Sequence, residues 1–213
     1  MATAKQKEIL LILEQHYTGM STALHYNNAF ELLVAVILSA QCTDERVNII
    51  TKRLFPKYPT PDVWVEKLNV EKIEKLIHDC GLYKAKAKNI YSTCQILVNK
   101  YKGIVPQTME ELIELPGVGR KTANVMLGQF FNVPAIAVDT HVFRTSRRLK
   151  LAKSDDVLKV EQELMKVIPK NKWSEAHHWL IWHGRKLCKA RKPLCASCPL
   201  EQLCTSKEKE IKI

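Results

Sequence analysis

Apolar residues recur along most of the chain with the spacing that one face of a helix requires. Such segments lie around residues 6–15, 29–40, 44–54, 85–98 and 157–168. This period is that of an amphipathic α-helix packed against a core. Only Val133–Val138 is predicted to be extended, and a single extended segment cannot build a sheet. The pattern therefore predicts an all-α fold.

The charge balance changes this picture, because it points to a polyanionic partner. The 213 residues include 33 Lys+Arg against 22 Asp+Glu, a formal net charge of +11. Such an excess favours nucleic acid or an acidic membrane surface, although scattered solvated lysines would give the same total. The most apolar stretch, Leu32–Ala40, is too short for a bilayer, which needs about 20 residues. With no signal-peptide pattern at the N-terminus, we expect a cytoplasmic chain without a membrane partner.

Four of the seven cysteines are clustered near the C-terminus in a C-x6-C-x2-C-x5-C pattern: Cys188, Cys195, Cys198 and Cys204. Four soft thiolates so close in sequence predict one compact metal centre. The spacing differs from the paired C-x2-C knuckles of a zinc ribbon and from the bacterial ferredoxin run. Two disulfides are the alternative, and they suit a secreted chain better. The remaining cysteines, Cys42, Cys80 and Cys94, are expected to be small buried hydrophobes within helices.

A glycine-containing hairpin, at about residues 108–130, is predicted to bind phosphate. Pro116, Gly117 and Gly119 stop one helix, and the next helix is expected to begin near Arg120. Backbone amides that converge at a helix N-terminus attract anions, and a backbone contact carries no sequence preference. The alternative is a plain helix–turn–helix connection. The predicted DNA contacts here are Gly117, Val118, Gly119 and Arg120.

Two ionisable residues after the hairpin are candidates for catalysis. Lys121 lies in the first turn of the second helix, where the helix dipole and Arg120 are expected to lower its pKa. A neutral lysine amine can attack a sugar carbon and form a Schiff base. Asp139 follows the extended segment and is predicted to cap a helix, from where its carboxylate could stabilise a cationic sugar. Taken alone, Lys121 could be a phosphate contact and Asp139 a simple cap.

Five segments together resemble the endonuclease III family of DNA glycosylases. In chain order they are LSAQCTD, GLYKAKA, LPGVGRKTANV, VDTHV and the four-cysteine loop. The resemblance implies a two-lobed helix-hairpin-helix fold in which the four cysteines hold a [4Fe–4S] cluster. One lobe, residues 22–132, would be a six-helix barrel that carries the hairpin. The other would join residues 1–21 to 133–213 as the iron–sulfur domain.

The resemblance also implies roles for individual residues. Lys121 matches the family's nucleophile and Asp139 its carboxylate, while Gln41 and Leu82 match residues that fill the space of an extruded base. Without the resemblance, Gln41 would be interpreted as a helix C-cap and Leu82 as a core residue. The cations between the first two cysteines could balance the cluster charge or bind phosphate: Lys189, Arg191 and Lys192. One departure from the family is Arg147, where asparagine is frequent.

The implied activity is that of a bifunctional DNA glycosylase and abasic-site lyase. Such an enzyme removes oxidised pyrimidines from duplex DNA and nicks the strand by β-elimination, acting as a monomer on the nucleoid. The rival interpretations are an adenine-removing glycosylase, a non-catalytic helix-hairpin-helix module and a redox protein. The first usually lacks a lysine at position 121, the second needs no Lys121–Asp139 combination, and the third needs no hairpin.

Overall fold

The computed structural model describes residues 2–207, and the regular structure in that range is helical throughout. The absence of strands among these residues confirms the all-α prediction. None of the described helices is long and apolar enough to cross a membrane. The helices are α1 (Ala4–Tyr17), α2 (Ala29–Ser39), α3 (Asp44–Leu54), α4 (Pro61–Lys67), α5 (Val70–Leu76), α6 (Tyr83–Tyr101), α7 (Met109–Ile113), α8 (Arg120–Gln129), α9 (Thr140–Arg148), α10 (Val157–Val167) and α11 (Trp173–Lys186), with 3₁₀ turns at Lys170–Lys172 and Cys195–Ser197.

Most helices begin at a residue whose side chain accepts a hydrogen bond from a backbone N–H of the first turn. Such a cap satisfies one of the donors that have no partner within the helix. Eight α-helices begin this way, at Thr3, Asn28, Thr43, Thr60, Asn69, Thr108, Asp139 and Asp156. Within the described range, the other three α-helices begin without a side-chain cap: α6 at Leu82, α8 at Gly119 and α11 at Lys172.

The chain divides into two compact units. The first is Ala23–Phe131, and the second joins Met1–Thr22 to Asn132–Ile213. We call them the hairpin unit and the terminal unit. The roles assigned to residues 22–132, and to residues 1–21 with 133–213, stay predictions.

The hairpin unit is built around α2, whose residues from Phe30 to Leu38 are all buried and, apart from Glu31, all apolar. A helix of this kind belongs at the centre of a bundle, because it leaves no polar face for solvent. Helix α2 packs on α3, α6 and α8, and α6 also packs on α4 and α5. The short helix α7 packs on α8, which positions the turn between them.

The terminal unit is built around α11, which packs against α1 and α9. Its core includes Leu13, Val142, Leu164 and Leu180, which are all fully buried. The extended segment is buried at Ala135–Val138 and leads directly into α9. The unit therefore brings segments from both ends of the chain around one apolar core.

Candidate functional site

The turn between α7 and α8 contains two glycines with different structural requirements. Gly117 has a left-handed backbone (φ +82°), and an added Cβ would lie 3.0 Å from both Cβ and Nδ2 of Asn89. Gly119 has φ −88°, and an added Cβ would meet no atom within 4 Å. The fold therefore requires a glycine at position 117, whereas Gly119 leaves open space in front of the first turn of α8.

Helix α6 holds this hairpin in place. Thr93 on α6 donates its hydroxyl to the carbonyl of Pro116 at 2.9 Å, and Asn89 packs against Gly117. Val118, a predicted DNA contact, is 5% exposed, and its N–H donates to the Leu115 carbonyl at 3.0 Å. Val118 therefore anchors the turn in the core, and its N–H is already used within the protein. Gly117, Gly119 and Arg120 are exposed, as the predicted contacts require.

Lys121 lies in the first turn of α8, as predicted from the sequence. The helix begins at Arg120, and Ala123, Met126 and Leu127 form its buried side. The Lys121 side chain is exposed. Because the N-terminal end of a helix carries partial positive charge, this is a favourable place for an anionic ligand.

Gln41 and Leu82 lie on two turns of the hairpin unit that approach each other closely. Both have left-handed backbones, with φ 53° and 59°, which residues other than glycine rarely adopt. An added Cβ on Gly81 would lie 2.9 Å from the carbonyl oxygen of Gln41. Leu82 is 57% exposed, so the alternative interpretation as a core residue is wrong. Backbone strain combined with an exposed apolar side chain is typical of a binding site.

Asp139 caps α9 in the terminal unit, as predicted. Its Oδ1 accepts the backbone N–H of Val142 at 2.7 Å, so its position is fixed by the helix that follows. His141, in the first turn, is half-buried, and Nδ1 of its ring lies 3.2 Å from Arg144 Nη2. Burial lowers the pKa of His141, and the Asp139 carboxylate opposes that effect.

The four-cysteine loop follows α11 and is held by short backbone contacts. The N–H of Cys188 donates to His183 at 2.8 Å, that of Cys198 to Cys195 at 3.0 Å, and that of Cys204 to Leu200 at 2.8 Å. Leu200 is fully buried in the core of the terminal unit. All four cysteines are partly exposed. A single buried leucine and a few turns therefore anchor a loop with little apolar content of its own.

Two arginines of α9 support this loop, and their role could not be predicted from the sequence. Arg148 donates to the carbonyls of Lys189 (2.7 Å) and Ala190 (3.3 Å), and its Nη1 lies 3.6 Å from the Cys188 sulfur. Arg144 donates to the Cys188 carbonyl at 3.0 Å. Arg147, the departure from the family pattern, instead lies over the Phe143 ring at 5.0 Å.

A buried tyrosine–histidine pair borders the loop on its inner side. The ring of His183 lies 3.1 Å from the Tyr17 hydroxyl through Nδ1 and 3.8 Å from the Cys198 sulfur through Nε2. Burial lowers the pKa of His183 to about 4, so its ring is neutral. Burial also raises the pKa of Tyr17 to about 12, and the Cys198 and Cys188 thiols add to this.

The donor set fits an iron–sulfur cluster. Burial raises the pKa of Cys198 to about 11, and the negative charges of Cys188, Cys204 and Cys195 raise it further. The four thiols are therefore close enough to repel one another as thiolates, and bound iron relieves that repulsion. Among residues 2–207, no three His, Cys, Asp or Glu side chains converge on a single metal ion. A cubane binds each thiolate through a different iron atom, so its ligands need no such convergence.

The predicted phosphate contacts on the loop lie on its outer side. Lys189, Arg191 and Lys192 are all exposed. Arg148, rather than any of these three, makes the short contact with a ligand sulfur. Their exposure leaves them accessible to phosphate, and the contacts themselves stay a prediction.

Comparison with known proteins agrees with this geometry. Residues 34–170 match the model of the HhH-GPD superfamily base excision DNA repair proteins, and residues 188–204 match the iron-sulfur binding domain of endonuclease III. Endonuclease III of Synechocystis sp. is 50% identical over 209 residues, covering 97% of this chain and 95% of that protein. Endonuclease III of Escherichia coli K12 is 48% identical, covering 98% and 99%.

The solved structures lead to the same family. A trapped endonuclease III–DNA covalent intermediate superimposes with a TM-score of 0.92 at 50% identity, covering 100% of both chains. Matches of this extent, over the hairpin and the cysteine loop alike, establish both the fold and the [4Fe–4S] cofactor. The chain belongs to the endonuclease III family of the HhH-GPD superfamily of base excision DNA repair proteins.

Proposed function

We propose that the chain is a bifunctional DNA N-glycosylase and abasic-site lyase that removes oxidised pyrimidines from duplex DNA. The observation that carries this proposal is the start of α8. There an exposed lysine follows a glycine whose missing Cβ leaves room for a ligand. A phosphate bound at this turn would fix the sugar–phosphate backbone beside Lys121.

In the proposed reaction Lys121 attacks C1′ of the damaged nucleotide as a neutral amine. The base leaves with the electrons of the glycosidic bond and takes up a proton from the attacking nitrogen. The C1′–O4′ bond then breaks, O4′ takes up a proton, and a protonated imine remains on the opened sugar. Removal of a C2′ proton then expels the 3′ phosphate and nicks the strand. Asp139 stabilises the positive charge on the sugar as the base departs. Its cap hydrogen bond to Val142 fixes the carboxylate before the substrate arrives.

Gln41 and Leu82 act before the chemistry. The glycosidic carbon cannot be reached inside a stacked duplex, so the damaged nucleotide must be extruded. An exposed leucine and a glutamine on adjoining strained turns are suited to fill the space it leaves. Since Gly81 fits against the Gln41 carbonyl, the two side chains would enter the duplex as one unit.

The [4Fe–4S] cluster is assigned to Cys188, Cys195, Cys198 and Cys204. When bound, it supplies a compact iron core that orders the loop without taking part in base removal. The loop then presents Lys189, Arg191 and Lys192 to the phosphates on either side of the lesion. We further propose that the enzyme acts as a monomer on cytoplasmic, nucleoid DNA.

Borohydride trapping tests the assignment of the nucleophile. Reduction during turnover should freeze a covalent protein–DNA adduct in the wild type, because borohydride reduces an imine to a stable amine. Lys121→Gln should form no adduct. Lys75→Gln is the matched control, since Lys75 is also an exposed lysine of the hairpin unit. An adduct at wild-type yield in Lys121→Gln would place the nucleophile elsewhere.

Asp139→Asn separates the two chemical steps. Asparagine caps a helix as well as aspartate does, so the variant should keep α9 intact while it loses the charge. Base removal should slow severely, whereas cleavage at a preformed abasic site should slow much less, because no glycosidic bond remains to break there. Equal loss on both substrates would contradict a role for Asp139 in base departure.

A panel of duplexes distinguishes the rivals. Duplexes with thymine glycol, with an oxidised-purine mismatch and with a bare abasic site should be processed in different proportions. The proposal requires cleavage of the first and third. Removal of adenine from the mismatch alone would favour the adenine-removing rival, and binding without cleavage of any duplex would favour a non-catalytic module.

A further inference from the structure

Two cysteines outside the cluster loop face each other in the hairpin unit. The sulfurs of Cys42 and Cys80 lie 3.3 Å apart, although 38 residues separate them in the chain. Both were expected inside helices, and that expectation was wrong. Cys42 lies in the turn between α2 and α3, and Cys80 in the turn between α5 and α6. Only Cys94, in the middle of α6, has the helical and buried position predicted for all three.

The two thiols differ in their exposure. Cys42 is partly exposed, whereas Cys80 is 2% exposed and also lies 3.5 Å from the Leu38 carbonyl. Burial raises the pKa of Cys80 to about 11, and its hydrogen bond to Cys42 adds to the shift. Lys86, itself buried, donates to the Leu38 carbonyl at 2.8 Å and opposes that rise from beside the Cys80 thiol. A soluble oxidant can therefore reach Cys42 first, with Cys80 positioned behind it as the second thiol.

The pair adjoins the two strained turns. Cys42 directly follows Gln41, and Cys80 precedes Leu82 with only Gly81 between them. The two turns approach so closely that an added Cβ on Gly81 would clash with the Gln41 carbonyl oxygen. A disulfide requires a sulfur–sulfur distance of about 2.05 Å, well below the present separation. Its formation must therefore draw together two side chains whose backbone is continuous with Gln41 and Leu82.

We propose that Cys42 and Cys80 form a reversible thiol–disulfide pair, and that a peroxide closes it and thereby slows base removal by displacing Gln41 and Leu82. The bridge itself follows from the position of the sulfurs. Its effect on repair rests on the function proposed above.

The oxidation balances with hydrogen peroxide as the two-electron oxidant. The Cys42 thiol takes one oxygen from the peroxide to become a sulfenic acid, and one water leaves. The Cys80 sulfur then attacks the Cys42 sulfur, and the sulfenic oxygen leaves as a second water with the Cys80 proton. Two thiols are oxidised to one disulfide and one peroxide is reduced to two waters. A dithiol reductant reverses the change by exchange.

The first measurement is chemical and does not depend on activity. The cluster-loaded protein is treated with limiting hydrogen peroxide, its remaining thiols are alkylated, and its peptides are analysed by mass spectrometry. The visible absorbance of the cluster is followed in parallel. We expect a linked Cys42–Cys80 peptide pair before the cluster absorbance falls, while Cys94 stays reduced because it is fully buried. Failure of the link to form under these conditions would overturn the proposal.

The second measurement is the rate of base removal from a thymine-glycol duplex. In the bridged protein we expect a loss of about tenfold or more, since a misplacement of about 1 Å near a site can cost a hundredfold. Affinity for undamaged duplex should change by less than about twofold, because the phosphate contacts lie elsewhere. Dithiothreitol should restore the rate. A linked protein with an unchanged rate would overturn the regulatory claim.

Variants separate the pair from general oxidative damage. Cys80→Ala and Cys42→Ser should both keep their activity after the same peroxide treatment, so that a folding defect in one does not decide the result. Cys94→Ala, which removes a third cysteine of the same unit, should form the link and lose activity as the wild type does. Equal inactivation of Cys80→Ala and the wild type would overturn the proposal, since the damage would then lie elsewhere. Borohydride trapping at Lys121 reports independently on the proposed function.

Discussion

The two glycines of the hairpin allow stability and DNA binding to be separated by substitution. Gly117→Ala places a Cβ on a left-handed backbone, which costs roughly 1–2 kcal/mol for a residue other than glycine. The contact with Asn89, at 3.0 Å, adds to this cost. Gly119→Ser introduces no strain, because φ is −88° and the added Cβ meets open space. As the N-cap of α8, serine should stabilise the protein by a few tenths of a kcal/mol relative to glycine.

Both substitutions should weaken binding to undamaged duplex, for different reasons. In Gly117→Ala the turn itself is distorted. In Gly119→Ser the new side chain occupies the space that the phosphate needs, and its hydroxyl competes for the amides of α8. A hydrogen bond to a charged group contributes about 1.5–3 kcal/mol. The loss of one such bond therefore weakens binding by about tenfold to a hundredfold.

A third glycine supplies the control. Gly19, in the terminal unit, has φ +77° and open space around it, so Gly19→Ala carries the backbone strain of Gly117→Ala without touching the hairpin. Stability is measured by denaturant titration, and affinity by fluorescence anisotropy on two unrelated duplex sequences at two salt concentrations. We expect Gly19→Ala to lose stability and keep affinity, and Gly119→Ser to gain stability and lose affinity. If affinity instead follows stability across the three variants, the hairpin does not bind phosphate at Gly119.

Three further perturbations test other parts of the site. The purified protein should be brown with about four irons and four sulfides per chain, and stoichiometric zinc without visible absorbance would contradict the assignment. Arg148→Met should retain the cluster about tenfold less well in the presence of a chelator, because Arg148 holds the loop. Leu82→Ala should change stability by less than about 0.5 kcal/mol, since the side chain is 57% exposed, yet slow base removal more than it weakens plain binding. His178 has its pKa lowered to about 4 by burial and by Arg185, so its neutral form stabilises the fold. The contribution of His178 to the free energy of unfolding is complete above the unfolded pKa of about 6.5, and up to roughly 3 kcal/mol is lost as pH falls toward 4. When the free energy of unfolding is measured by denaturation from pH 7 to 4, its decrease with falling pH should be smaller in His178→Gln than in the wild type.

The helices and their starting points could be predicted because their signals are local. Asp139 caps α9 within three residues of itself, and α8 begins at Arg120, directly after the glycine that stops the preceding turn. The apolar period that predicted the buried side of α8 needs no knowledge of the rest of the chain. Only the resemblance to the family, however, connected Lys121 with Asp139, which belong to different units.

Contacts between distant residues could not be predicted from the sequence. The Arg148 contact with the Cys188 sulfur spans 40 residues, and the Cys42–Cys80 contact spans 38. No periodicity or turn signal links such positions. The sequence analysis also predicted the same role for Gly117 and Gly119, although only Gly117 has a left-handed backbone. The burial of Val118 could not be predicted for the same reason, since its packing partners are set by the fold.

The helices that begin without a side-chain cap indicate where a local stabilising interaction is absent at a proposed functional position. The start of α11 also has no side-chain cap, but there the N–H of Trp173 donates to Lys170 in the preceding turn. The starts of α6 and α8 likewise have no side-chain cap, and they lie at Leu82 and Gly119. Sequences that satisfy local rules almost everywhere tend to break them at functional sites. At Gly119 a cap would fill the space proposed for a phosphate, and at Leu82 it would replace the side chain proposed to enter the duplex. The absence of a side-chain cap at these two positions therefore makes the start of each helix less stable and, at the same time, permits the proposed function.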